Sequence, residues 1–387
     1  MLADLSEALQ QRQQQGLYRS RPVLEGPQSP HVTIDGREFL AFCSNDYLGL
    51  ANHPALIEAI AEGARRYGVG SGASHLISGH SQAHHMLEQA LAAFVGLPRA
   101  LLFSTGYMAN LAAVTALVGR EDVIFADRLN HASLNDAALL SRARFIRYPH
   151  LDLATLEKQL EKTDARRKLV ITDAVFSMDG DTAPVAGLLA LCRRFDAWLL
   201  LDDAHGFGVL GERGSGSLYS LQQEERAAPH LIYMATLGKA AGVSGAFVAA
   251  QAPVIETLIQ HGRTYGYTTA AAPLLAHALL TSLQLIEQHS WRREQLARLI
   301  GRLRNNLQPL PWQLLPSETP IQPLLTGESQ EAVRLDLALR EQGIWVPAIR
   351  PPTVPEGRAR LRISLSAAHT ETDIDRLSVA LHALARH

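Results

Sequence analysis

An α/β fold is predicted for this chain: a large domain on a mainly parallel sheet, followed by a smaller α+β domain at the C-terminal end. Three observations predict it. Six runs in the middle of the chain are almost continuously apolar: ALLFS (100–104), DVIFA (122–126), KLVIT (168–172), AWLLL (197–201), LIYMA (231–235) and GAFVAA (245–250). Strands covered on both faces read this way. Helical patterns at 81–95, 107–118, 151–163 and 184–195 lie between most of them, and such alternation favours parallel pairing. After a long helical pattern at 273–308 the texture changes. IQPLLTG, IWVPAIR and ARLRISL read as strands there, and SQEAVRLDLALREQG and TETDIDRLSVALHALAR as helices. Thr370 and Asp373 have the spacing of a capping box for the last helix. The expected division is an N-terminal helical or extended segment at 1–43, a large domain at 44–280 and a small one at 281–387.

The bulk properties fit that plan. A chain of 387 residues suits one large and one smaller domain. Hydrophobic residues make up 47% and charged residues 19%, as in ordinary globular proteins. The formal net charge is -2 and no basic run stands out, so nucleic acid is not an expected partner. The two cysteines, Cys43 and Cys192, form no metal-binding or disulfide pattern. The N-terminal stretch is polar and lacks the apolar core of a signal peptide, and no 18-residue apolar run is present. A cytoplasmic location is expected, with no membrane association.

Parallel sheets bind ligands outside the carboxyl ends of their strands. Those ends carry unusual residues here. Asp202-Asp203-Ala204-His205 follows one run and Thr236-Leu237-Gly238-Lys239 another. Asp173 through Gly180, Thr105-Gly106-Tyr107 and Asp127 through His131 follow three more. With the strands parallel, a lysine, carboxylates, two histidines, a serine and a helix-starting glycine meet at one rim. This set suits pyridoxal phosphate (PLP) chemistry. Lys239 would form the Schiff base. Asp202 would keep the pyridine nitrogen protonated. Gly106 and Tyr107, opening a helix, would offer backbone N–H groups and a positive dipole end to the phosphate. His131 would stack on the ring, and His205 or Ser177 would donate to its hydroxyl oxygen.

Other readings of the same residues are weaker. Asp202 and His205 as metal ligands lack a third partner at suitable spacing. His80 and His84 stand four apart but without an HExxH glutamate, and read as surface or substrate-channel residues. Gly206 through Gly211 matches the dinucleotide pattern GxGxxG, but ERGSGS after it is a poor helix start.

The joint pattern resembles the α-oxoamine synthases, PLP enzymes of fold type I, and the resemblance implies a sheet of the seven-stranded type in the large domain. The resemblance rests on SNDYLGL (44–50), GSGASHLISG (70–79), DRLNHASL (127–134), VFSMDGD (175–181), DDAHGFGVLG (202–211), TLGKAAGVSG (236–245) and RLRISLSAAH (360–369). These follow the family's order over nearly the whole chain. DDAHGFG, FSMDGDTAPV and the RPPTVPEGRARLR run look most like the branch that condenses L-alanine with a pimeloyl thioester in biotin synthesis. The thioester carrier would be CoA or acyl-carrier protein. A sibling using glycine and acetyl-CoA is the alternative.

The resemblance implies specific roles. Lys239 would also remove the amino acid's α-proton, with His131, Asp202 and His205 completing the catalytic set. Ser177 and His205 would contact the ring hydroxyl side, and Gly106, Tyr107 and Thr236 the phosphate. The active site would be shared in a homodimer, with Thr268 or Thr269 reaching the partner's phosphate. Asn45 and Arg362 would hold the amino acid carboxylate, Ser74 and His75 would line the substrate pocket, and Arg19 would meet the far end of the acyl chain. One departure is Asp173, where biotin-pathway relatives more often carry glutamate.

Overall fold

The computed structural model describes residues 1–14, 17–19, 21–226 and 228–386. Its strands are β1 (His31–Ile34), β2 (Arg37–Ala41), β3 (Arg99–Phe103), β4 (Val123–Asp127), β5 (Arg144–Tyr148), β6 (Lys168–Asp173), β7 (Trp198–Asp202), β8 (Leu231–Thr236), β9 (Ala246–Ala250), β10 (Gln313–Leu314), β11 (Ile321–Gly327), β12 (Ile344–Trp345), β13 (Ala348–Ile349) and β14 (Ala359–Ser364).

The central sheet has seven strands in the order β3-β9-β8-β7-β6-β4-β5. Only β9 runs against its neighbours, so all the other strands point their carboxyl ends to one rim. Six of the seven are the apolar runs read from the sequence. They are buried because helices cover both faces, which leaves two apolar layers. The seventh, β5, was not expected. It reads RFIRY, with Arg144 and Arg147 exposed, because it is an edge strand with the single neighbour β4. Charged side chains suit such an edge.

The helices match the periodicity at Gln82–Val95, Gly106–Leu117, Leu153–Lys162 and Val185–Arg194. The long pattern at 273–308 is two helices, Pro273–Gln288 and Ser290–Asn306, because the backbone of His289 leaves the helical region. At the N-terminal side, β1 and β2 form a hairpin closed by Asp35-Gly36, both with positive φ. That is the Asp-Gly hairpin turn, a signal present in the sequence at VTIDGREF. The IWVPAIR run also divides. β12 pairs parallel with β2, whereas β13 joins the antiparallel sheet β10-β11-β14-β13. The capping box of Thr370 and Asp373 forms as expected.

Arg360 and the segment 317–319 both hold the loop after β6. Arg360 on β14 is 1% exposed and donates to the Asp179 carboxylate at 2.6 Å and to the Met178 carbonyl at 2.9 Å. Gly180 has φ +70°, and Ser317 and Thr319 both donate to its carbonyl. A Cβ there would stand 2.3 Å from the Ile321 carbonyl oxygen. The segment 175–181 is therefore clamped from below, which fixes the residues that face the rim. Asp179→Ala leaves the Arg360 guanidinium buried without its anion. A loss of about 3 kcal/mol is expected, read as a lowered urea midpoint.

Candidate active site

The carboxyl ends of β4, β6, β7 and β8 and the start of the helix Gly106–Leu117 enclose a cleft of about 210 Å³. Lys239, Asp202, His205, His131, Ser177, Thr236, Gly106 and Tyr107 all line it. Topology explains the convergence. Each residue sits just beyond a strand or opens a helix, so parallel strands deliver them to the same edge.

Lys239 lies after β8 in a turn closed by the Gly242 N–H to the Lys239 carbonyl at 2.8 Å. Its Nζ is 2.8 Å from His205 Nε2. Burial lowers the lysine pKa from 10.5 to about 8, reinforced by the Arg362 charge and opposed by Asp202. His205 is held neutral well below its usual range, first by burial and then by the Lys239 charge. Its Nδ1 is 2.6 Å from the Tyr47 hydroxyl, which donates to Asn45 Oδ1 at 3.1 Å. A protonated Lys239 can only donate. His205 then accepts on Nε2 and carries its proton on Nδ1, facing Tyr47. Lys239, His205, Tyr47 and Asn45 thus form one hydrogen-bonded line.

The line continues into Arg362, which is 6% exposed. Its Nε donates to the Ser177 carbonyl at 2.5 Å and its Nη1 to Ser364 Oγ at 2.7 Å. Its contacts with Asn45 are long, 3.3 and 3.4 Å.

Asp202 is buried at the end of β7. It accepts from Asn110 Nδ2 at 2.7 Å and from the Ala204 N–H at 3.0 Å. Asn110, one turn into the helix that starts at Gly106, also donates to Ser133 Oγ at 2.9 Å, and its own Oδ1 has no partner. His131 caps the next helix. Its Nδ1 is 2.7 Å from Ser133 Oγ, and its backbone N–H donates to Asp173 at 2.7 Å. Burial holds the His131 imidazole below its ordinary pKa, against the opposing pull of Asp202. Asp173 is pushed well above the usual carboxylate range by burial and by the Asp202 charge.

This donor set fits PLP. Asp202 is a buried carboxylate with no ion-pair partner among the described residues, and it suits a protonated ring nitrogen. Gly106 has open space where a side chain would stand, with nothing nearer than 3.8 Å. Gly106 and Tyr107, the first two residues of that helix, line the cleft, and a helix start is a ready anion site.

The remaining expected residues lie elsewhere. Ser74 precedes and His75 opens a short π-helical segment, His75–Gly79, and the Ala73 carbonyl accepts from the Ala270 N–H at 3.0 Å, next to Thr268 and Thr269. None of these four lines the cleft. Arg19 lines a separate cleft with Arg12, Arg350 and Thr353. His84 is a correction. It was expected at the surface or in a channel, but it is fully buried and accepts the Ser81 N–H within a capping box. The glycine motif Gly206–Gly211 forms turns around the buried Asp203 and opens no helix, so it offers no dinucleotide site. Tyr47, Asn110 and Ser133 were missed as site residues. All lie in segments quoted above, and Asn110 stands one helical turn after Gly106, which places it under the cleft.

The chain matches the family model "Aminotransferase class I and II" over residues 37–381. It is 84% identical over 386 residues to the 8-amino-7-oxononanoate synthase of Nitrosomonas europaea, with 100% of both chains covered. The chain belongs to the class I and II aminotransferase family, among the 8-amino-7-oxononanoate synthases. Its backbone superposes on the structure of SPT with PLP at a TM-score of 0.92 and 28% identity, covering 99% of this chain and 97% of the other. The 8-amino-7-oxononanoate synthase of Francisella tularensis gives 0.77 and 32% identity, over 89% and 98%. The fold is therefore that of fold-type-I PLP transferases, and PLP is the cofactor.

The lowered lysine pKa sets a pH dependence. The neutral amine predominates above about 8. Uptake of PLP by the apoprotein, trapped with borohydride at Lys239, should level off above that pH. Below it the rate should fall about tenfold per pH unit, following the neutral fraction.

Proposed function

We propose that the Lys239 cleft performs the decarboxylative condensation of L-alanine with a pimeloyl thioester, giving 8-amino-7-oxononanoate, carbon dioxide and free thiol. The observation that carries the assignment of roles is the buried Lys239 amine in one cleft with Asp202, His131 and His205. Bound PLP supplies an electron sink for the negative charge left at the amino acid's α-carbon.

The chain's own residues do the rest. Lys239 would hold the cofactor and take the α-proton of the incoming amino acid. An amine with a pKa near 8 is matched to that task at neutral pH. Asp202, oriented by Asn110 and the Ala204 N–H, holds the ring nitrogen. His131 covers the ring face, His205 and Ser177 meet the hydroxyl side, and Gly106, Tyr107 and Thr236 hold the phosphate. The substrate carboxylate binds between Asn45 and Arg362. Their mutual contacts are the longest Arg362 makes, so a carboxylate replaces them at little loss. Arg19 meets the far carboxylate of the acyl chain.

The active site is completed by a second copy. Val69, Leu76, Ile77 and Tyr267 are 76, 51, 81 and 82% exposed around the segments that carry Ser74, His75, Thr268 and Thr269. A self-complementary face would cover these apolar groups and present the four polar ones to the partner's cleft. Among the described residues no helix is long and apolar enough to cross a membrane.

The test is spectroscopic. The purified protein should show a PLP band that shifts on addition of L-alanine, and less with glycine or L-serine. Lys239→Ala should lose the band of the protein-bound cofactor and at least about 100-fold in kcat. A band answering only to glycine would move the assignment to the acetyl-CoA sibling. Absence of any band after reconstitution with PLP would overturn the reading. Asn110→Ala leaves Asp202 with one donor fewer. Activity is expected to fall about tenfold through kcat, with KM for alanine little changed.

A further inference from the structure

Away from the Lys239 cleft, His80, His85 and Glu88 bring one ligand atom each to within 4.8 Å of one another. Glu88 and His85 stand three apart on the helix Gln82–Val95 and share a face. His80 comes from the loop just before it. The Glu88 side chain is 13% exposed, and its Oε1 is fixed by the Leu102 N–H of β3 at 2.9 Å. Its Oε2 points at His80 Nε2, 3.9 Å away. The nearby Arg99 is paired with Glu256 instead. A half-satisfied, largely buried carboxylate between two imidazoles has the electrostatics of an empty cation site.

The ring beyond it supports the same reading. His80 Nδ1 is 3.0 Å from His75 Nδ1, and the His75 ring stacks on Tyr265 with centroids 4.8 Å apart. His80 can therefore donate from Nδ1 and leave the Nε2 lone pair facing Glu88. Ligating histidines are commonly oriented by such a bond through the second ring nitrogen. His84 is close to both rings but is spoken for. Its Nδ1 accepts the Ser81 N–H and its Nε2 donates to the Ala271 carbonyl at 2.8 Å.

We propose that His80, His85 and Glu88 bind a divalent cation, zinc by the chemistry of two imidazoles and a carboxylate, with water in the open position. Bonds of about 2.1 Å place tetrahedral donors roughly 3.4 Å apart, which small side-chain rotations reach from the present arrangement. The ion would clip the loop at His80 to the helix and, through Glu88, to β3.

Untagged holoenzyme, stripped with chelator, loaded with zinc and gel-filtered, should retain about one zinc ion per chain by atomic emission. Zinc should also raise its melting temperature. His85→Ala changes an exposed side chain and should reduce bound zinc at least tenfold, abolish the thermal shift and leave the PLP band intact. Glu88→Gln should do the same. Native chain that emerges without zinc, or His85→Ala that retains as much as the native chain, overturns the site. So does loss of zinc in His84→Gln with retention in Glu88→Gln, which would move the ion to the wrong ligands.

Discussion

The site depends on keeping an amine buried. Lys239 sits in the turn after β8, and among the described residues no carboxylate forms an ion pair with it. Its charged form is penalised by burial and only partly restored by Asp202, so the pKa falls to about 8. Everything around the lysine follows from tolerating that group. His205 must be neutral beside it, and burial secures this. Tyr47 and Asn45 then satisfy the far side of the imidazole, and Arg362 anchors the end of the line.

That line joins distant parts of the chain. Tyr47 and Asn45 precede the helix Pro54–Tyr67, His205 and Lys239 follow central strands, and Arg362 comes from β14 in the C-terminal sheet. The clamp of Arg360 on Asp179, two residues before Arg362 on the same strand, uses alternate positions of β14 for different ends. Both side chains point toward the segment 175–181, one gripping Asp179 and the other the Ser177 carbonyl. Through Arg362 the C-terminal sheet thus holds the backbone of Ser177, which lines the cleft.

Much of this was legible in the sequence because a doubly covered parallel sheet leaves a simple signature. Its strands are apolar throughout, and its functional residues follow immediately after them. That rule brings Lys239, Asp202, His205, His131 and Ser177 to one rim, while the role of Thr236 comes from the family resemblance. β5 escaped because an edge strand need not be apolar. Tyr47 escaped because SNDYLGL follows no central strand, and only the fold brings it against His205. His84 was misplaced because a histidine near a helix start looks polar in sequence, whereas here the ring caps the helix and is sealed under Ala271.

The sequence by itself determined the fold class, the identity of the residues on the rim and the chemistry they suit, since strand periodicity and residue type are local properties. The tertiary structure alone decided which groups touch. It put Lys239 against His205 and not Asp202, gave Asp202 the Asn110 amide, set Arg362 between Ser177 and Asn45, and kept Ser74, His75, Thr268 and Thr269 together outside the cleft. Those pairings span as many as 317 residues. Spacing along a chain carries no record of them, because packing of whole elements sets the distance between side chains so far apart in sequence.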